Sequence, residues 1–368
     1  MINMAKIKIF DNNKYIEEQI KEIKKRLKCF KKVYIEIGGH IINDNHTSRV
    51  FKDYDKNNKI KIIQKLKKNI EIIYCIYSKH LEKDSADYTK EKQQKEVFKE
   101  IKYLKNKFKN INIVITRYNK QNKITEKFIQ RLNKLKFKVY TTKDIKQYPN
   151  NLKIILGENG YLKQPYIQTK KNIVIVTSHN SNSGKMCVCL SQIYSDLKIN
   201  NIESGYFKFE TFPVWNLKLN HPVNLAYEAA TADLEDQNLI DPYYKKNYNK
   251  IAINYNRDIE NFKILKKIIS KITSKNNKMR NYKAPTDMGI NTIKKAIIDD
   301  KLVQEKAIIE IKRRYKIYLK KYNTNKTNKN LKTLNRIREI IKKIEIWFKK
   351  KQTISSNYQN DLIKLLLN

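Results

Sequence analysis

Residues 172–186 read NIVIVTSHNSNSGKM: a β-branched apolar run, a polar loop, Gly184-Lys185, and then an apolar-periodic helix. In that order, backbone N–H groups and a helix N-terminus can surround a phosphate while a lysine adds a point charge. The candidate cradle is Ser178, Asn180, Asn182, Ser183, Gly184, Lys185 and Met186, with ATP, another nucleotide or another phosphorylated molecule as its ligand. His179 stands where the GxxxxGK[ST] spacing has its first glycine, and Met186 replaces the hydroxyl that would ligand Mg²⁺. Asn is the non-glycine residue most tolerant of left-handed geometry, so Asn180 and Asn182 can preserve the turn. The same residues also fit an ordinary strand-to-helix turn in which Ser183 starts the helix.

Other groups add to this chemistry. Lys208 and Glu210 fall at the C-terminal end of the next strand, where α/β proteins bind ligands, and could meet a substrate as catalytic groups beside Lys185. Small-substrate ATP-dependent ligases place a lysine at a similar point. Asp233 and Asp241 could hold Mg²⁺ in place of the ligand lost at Met186. Gly38-Gly39, followed by His46 and Arg49, could form a second anion site, with Arg49 gripping oxygens through its fork. A solvated strand end, an acidic face and a satisfied loop network are the plain alternatives for these three groups. The five histidines show no pair at zinc spacing on a helix, and no GxSxG, HExxH or Cys/His signature is present.

Apolar periodicity predicts the elements that must position these residues. Helices are expected over 14–31, 59–69, 91–109 and 122–135, and strands over 33–37, 71–77, 111–116, 136–141 and 152–156. After Pro165 come a strand at 172–177, the loop, a helix with Met186, Leu190, Ile193 and Leu197 on one face, and a strand near 205–209. Pro222 suits the first turn of a helix running to about 235, and from about 258 the chain is mostly helical. Alternating strands and helices imply α/β architecture, a largely parallel sheet or sheets flanked by helices with a P-loop NTPase-like βαβ unit in the middle and a helical C-terminal region. The expected division is an N-terminal Rossmann-like part (1–170), a P-loop-like part (171–275) and a helical part (276–368).

The 368 residues carry a net charge of +43, and only ten of the 79 basic residues are arginine. Lys, Asn, Ile and Tyr have A/T-rich codons, so the charge fits drift in an AT-rich genome. Against it, residues 204–244 hold two lysines and six carboxylates, and all six prolines lie between 149 and 285. The basic, tyrosine-interleaved run 313–322 could grip a nucleic acid. Lysine is spread over every helix, however, and arginine is too scarce for base readout, so no specific nucleic-acid partner is expected. No apolar run is long enough for a membrane span, the start lacks a signal-peptide core, and the four cysteines form no framework. A cytoplasmic location is expected.

FDNNKYIEEQ (10–19), IGG-x6-HTSRVF (37–51), NSGKMCVCLSQIY (182–194), GYFKFETFPVWNL (205–217), HPVNLAYEAATADL (221–234), IDPY (240–243), NYNRDIE (254–260) and YKAPTDMGIN (282–291) resemble the DUF1846 (UPF0371) family. The resemblance implies an α/β protein with a P-loop-like segment, cytosolic and homo-oligomeric, and gives no reaction; the peptidase label carried by some members finds no support in these motifs. The family's loop is richer in glycine than this one, and it usually has Lys where His40 stands. It normally continues into a further C-terminal α/β domain, so whatever that domain supplies is expected to be missing after Asn368 or to come from another chain. Two functions follow as expectations. One is a nucleotide- or phosphate-binding protein, with ligase or transferase activity on a small substrate. The other is a non-catalytic, NTPase-like oligomeric scaffold.

Overall fold

The computed structural model describes residues 8–66, 70–82 and 89–351. Asp11 caps the first helix, α1 (Asn12–Leu27), by accepting from the backbone N–H groups of Asn13 and Lys14. The chain continues through β1 (Lys32–Glu36), α2 (Asn45–Val50), α3 (Asn58–Lys65), β2 (Ile70–Tyr77), α4 (Ser78–Glu82), α5 (Lys90–Lys107) and β3 (Ile111–Thr116). Next come α6 (Lys123–Lys134), β4 (Lys138–Thr141), α7 (Leu152–Leu156), β5 (Ile173–Thr177), α8 (Lys185–Asn200) and β6 (Ser204–Lys208). The remainder is α9 (Pro222–Ala230), β7 (Asn238–Ile240), α10 (Pro242–Tyr248), β8 (Ile253–Tyr255), α11 (Asn256–Ile272), α12 (Asp300–Thr324) and α13 (Asn328–Lys351).

Strands β1 to β6 form one parallel sheet in the order β4-β3-β2-β5-β1-β6, and β7 and β8 pair antiparallel beside it. Residue 170 thus lies between segments whose strands share a single sheet. Strand β5 sits between β2 and β1, and the β5–α8–β6 crossover passes over β1.

Side chains alternate across the pleat, so the near-continuous apolar strands feed two cores. Val33, Ile35, Ile72, Ile113, Ile175 and Phe207 face one core, which α1, α3, α5, α6, α9, α12 and α13 complete. Tyr34, Ile73, Val114, Val174, Val176 and Tyr206 face the other, against α8 and α11. Residues 152–156, expected as a strand, form the single-turn helix α7. The Asn151 side chain accepts from Ile154 N at 3.2 Å, and Ile155 N donates to Asn151 O at 3.0 Å, so a local cap prevails over apolar strand character.

The charged residues that enter the interior are paired. Lys32 and Lys59 are the buried lysines among the described residues. Lys32 Nζ lies 2.8 Å from Asp196, whose carboxylate also accepts from the hydroxyls of Tyr34, Tyr166 and Ser204, which ties α8 to β1 and β6. Lys59 Nζ lies 2.8 Å from Asp44 Oδ2, 3.0 Å from Glu210 Oε2 and 2.8 Å from the carbonyl oxygen of Gly38. Burial works against that ammonium, but the Asp44 and Glu210 carboxylates outweigh it and hold its pKa above that of an ordinary lysine. Gly38 is required here because a Cβ would lie 2.7 Å from the backbone oxygen of Glu210.

Replacing Lys59 with Met leaves two buried carboxylates without their cation. The expected loss is about 3–5 kcal/mol of unfolding free energy in urea. A loss below about 1 kcal/mol, the worth of an exposed pair, would show that the ammonium is not the binding element.

Candidate functional site

The chain leaves β2 toward β3 and leaves β5 toward β6, on opposite sides, so the carboxyl ends of these neighbouring strands open a crevice at a topological switch point. Tyr77, His80, Gln93, His179, Asn180 and Ser183 line it, and the free space is about 200 Å³ counting the open mouth.

One wall is the loop 178–184. The Asn180 carbonyl accepts from Ser178 Oγ at 2.7 Å and from Ser183 Oγ at 2.8 Å, which closes the loop on itself. Thr116 Oγ1, at the end of β3, donates to Ser183 O at 3.0 Å. Asn182 and Gly184 take left-handed conformations, with φ of 54° and 76°, and Gly184 is the N-cap of α8. Lys185, the first residue of α8, folds back so that its Nζ donates to Ser178 Oγ at 3.1 Å. Residues 178–185 therefore form one contiguous turn with the lysine folded over it. Met186 points elsewhere and packs against the core beneath α8.

His179, on the same loop, meets side chains from other elements. His179 Nδ1 lies 3.0 Å from Glu100 Oε2, and the same oxygen accepts from Tyr74 OH at 2.7 Å. With Nδ1–H donating to the carboxylate, Nε2 keeps its lone pair. The His40 ring stands edge-on to that of His179 at 5.2 Å, and His80 packs on Tyr77 at 5.0 Å. Burial depresses both flanking imidazoles, with a further push from His179, and His80 falls to about 4. Gln93 is buried in α5, and neither atom of its amide has a partner among the described residues. A buried amide left unsatisfied at the wall of a crevice is costly and is the kind of group a ligand completes.

The other expected residues are distributed differently. Lys208 and Glu210 depart to opposite sides of the sheet. Lys208 Nζ pairs with Asp258 of α11 at 3.1 Å, whereas Glu210 is buried between Lys59 and the Tyr15 hydroxyl. Burial, only partly offset by Lys59, raises the Glu210 pKa. Neither is the solvated strand end that was the plain alternative. Asp241 caps α10 through the N–H groups of Tyr243 and Tyr244 and accepts from Asn254 and Thr286, while Asp233 accepts from Tyr318 at 3.2 Å. Among the described residues no three His, Cys, Asp or Glu side chains converge as a metal-holding group. Gly38 and Gly39 border Lys59, but His46 and Arg49 turn to Glu310 of α12. In the basic run 313–322, Tyr315 and Tyr318 are core residues, so they are not a stacking platform for bases. Burial pushes the Cys75 and Cys187 thiols up to about 12, which leaves them unreactive.

His40, His80 and His179 each lie within four residues of the C-terminal end of a strand. That spacing was the available signal for their convergence, because neighbouring parallel strands bring their carboxyl ends to one edge. Gln93, in the first turn of α5, and Glu100, mid-helix on α5, carry no such signal.

The fold is a doubly wound parallel α/β protein with a crevice at the carboxyl edge of its sheet, lined by apolar side chains together with His80, His179, Gln93, Asn180 and Ser183. The family described as "Domain of unknown function DUF1846, N-terminal" matches residues 8–345, and the chain belongs to that family. It is 46% identical over 309 residues to a UPF0371 protein of Clostridium botulinum (strain Alaska E43 / Type E3) and 45% identical over 309 residues to one of Clostridium tetani (strain Massachusetts / E88). In both cases the match covers 83% of this chain and 60% of the relative. The chain thus spans about 60% of the length of the curated relatives it matches. None of the helices among the described residues is long and apolar enough to cross a membrane.

The depressed His80 pKa has a measurable consequence. A ring that stays neutral in the folded state and protonates near 6.5 when unfolded favours the fold above pH 6.5, and that contribution is lost as pH falls toward 4. Ring-proton NMR is expected to show His80 titrating near 4. A midpoint near 6.5, the ordinary histidine value, would place the ring in free solvent instead.

Proposed function

We propose that the crevice between β2 and β5 binds the phosphoryl group of a small phosphorylated ligand, a nucleotide such as ATP among the candidates. The observation that carries this reading is Lys185 at the first position of α8, folded over a loop whose left-handed Asn182 and Gly184 lead into the helix N-terminus. The α8 N–H groups and the lysine supply positive charge from one side. The His179–Glu100 pair, reaching from the same loop to α5, and the Gln93 amide of α5 add polar contacts.

The free space of about 200 Å³ includes the open mouth, so in this reading the crevice meets only the phosphoryl group and does not enclose the ligand. The rest of the ligand would lie across the rim near His40 and His80. With its lone pair on Nε2, His179 is the group placed to take up a proton in ligase or transferase chemistry on that ligand. Because the Asp233 and Asp241 carboxylates are held by other elements, charge neutralisation in this reading falls first to Lys185.

One feature favours the alternative of a non-catalytic scaffold. The Asn180 carbonyl turns onto the hydroxyls of Ser178 and Ser183, where a nucleotide-binding loop presents N–H groups.

Titration calorimetry of ATP, GTP and inorganic phosphate separates the two, run with and without Mg²⁺ at about 150 mM salt so that the +43 charge is screened. The expected result is saturable binding that weakens at least about tenfold in Lys185→Ala, equivalent to about 1.4 kcal/mol. Weak binding, equal for every anion and unchanged by the substitution, would leave the loop a structural turn and the protein a scaffold.

A further inference from the structure

Gln93 sets a requirement that a lysine cannot meet. Its side chain lines the crevice with 1% of the residue exposed, and both amide atoms lack a partner among the described residues. A buried amide needs a donor for its oxygen as well as an acceptor for its nitrogen. A fully ionised phosphoryl group carries acceptors only. It would satisfy Nε2 and leave Oε1 facing another lone pair.

The surroundings repeat the demand for a donor. His179 also lines the crevice, and with its Nδ1–H on Glu100 it carries a lone pair at Nε2. The described lining residues include no lysine or arginine. Burial depresses the His40 and His80 imidazoles, and it holds the Tyr74 hydroxyl and the Cys75 thiol in their protonated forms. Arg117 stacks on the Tyr77 ring at 4.9 Å and is paired with Asp144 at 3.8 Å. Lys185, folded over the loop, brings one positive charge, which suits a ligand group with one negative charge.

We propose that the crevice takes its phosphoryl group in the singly protonated form, and that Gln93 is the residue that selects it. The P–OH donates to Gln93 Oε1, a neighbouring phosphoryl oxygen accepts from Nε2, and the remaining negative charge meets Lys185. The ligand is then one with a terminal phosphoryl group, which can carry that proton, rather than a phosphodiester or a sulfate ester, which cannot. An amide suits this task because, unlike an imidazole, it cannot take up a proton and become a donor at both atoms. Fully ionised oxyanions still reach Lys185 and the α8 N–H groups, but hold there less tightly. This selection rests on the phosphoryl reading of the crevice.

Calorimetry on the full chain at moderate salt compares phenyl phosphate with phenyl sulfate from about pH 5.5 to about pH 8, spanning the second ionisation of a phosphate monoester at about 6. At the acid end both probes are mainly monoanions of similar shape, and only the phosphate has an O–H. Phenyl phosphate is expected to bind about tenfold or more tighter there, with the advantage shrinking as pH rises. Titration of His179 or another protein group acts on both probes, so the ratio isolates the ligand's proton. Gln93→Met is expected to keep or raise the melting temperature, because the amide has no partner to lose, and to erase the difference between the probes. If that variant fails to fold, the wild-type pH profile decides. Selection by Gln93 is overturned, with the crevice reading intact, if both probes bind equally and need Lys185, if the phosphate advantage grows with pH, or if Gln93→Met retains it. If neither probe binds saturably, or Lys185→Ala leaves binding unchanged, both readings fall.

Discussion

The arrangement at the carboxyl edge of the sheet depends on one buried ammonium. Lys59 joins Asp44, Glu210 and the Gly38 carbonyl, and in doing so fixes where the chain goes after β1 and after β6. Asp44 also caps α2, accepting from the Thr47 N–H and hydroxyl, so the direction of α2 is set by the same carboxylate that Lys59 neutralises. Through α2 the constraint reaches His46 and Arg49, and through the Gly38–Gly39 turn it reaches His40 and the ring of His179 beside it. Burying an ion pair gives little net stability against an apolar substitute of the same shape, but removing one member alone is severe. The cluster is better understood as what selects this one packing.

Much of the fold is legible in the chain because the strands are buried on both faces and therefore read as unbroken β-branched runs. Residues 71–77, 111–116 and 172–177 are strands within one residue of where their composition puts them. Residues 152–156 show the limit of that reasoning: the apolar run LKIIL looks like a strand, but Asn151 offers a cap and the segment closes into a helical turn. Strand order was not legible. That β5 lies between β2 and β1 is decided by crossover packing over more than a hundred residues, and no local pattern encodes it.

The local geometry of the candidate site was legible only where it is contiguous in sequence. The turn from Ser178 to Lys185 is contiguous; of the two asparagines expected to tolerate left-handed geometry, Asn182 adopts it and Asn180 does not. The partners of Glu210, Arg49 and His179 are distant in sequence. Lys59 was hidden for a compositional reason, since one buried lysine is indistinguishable from dozens of exposed ones in a chain with this charge. Arg49 stood out as an anion-gripping residue, but its partner Glu310 lay in what read as an ordinary basic helix.

The most direct test is crystallographic. A crystal of the full chain soaked in tungstate, a heavy tetrahedral mimic of phosphate, gives an anomalous map that locates the anion without any assumption about substrate. A peak in the crevice between β2 and β5, touching Lys185 Nζ and the first N–H groups of α8, is the predicted result. Peaks confined to exposed surface lysines, with the crevice empty at saturating tungstate, would contradict the assignment of this edge of the sheet as a phosphoryl-binding site.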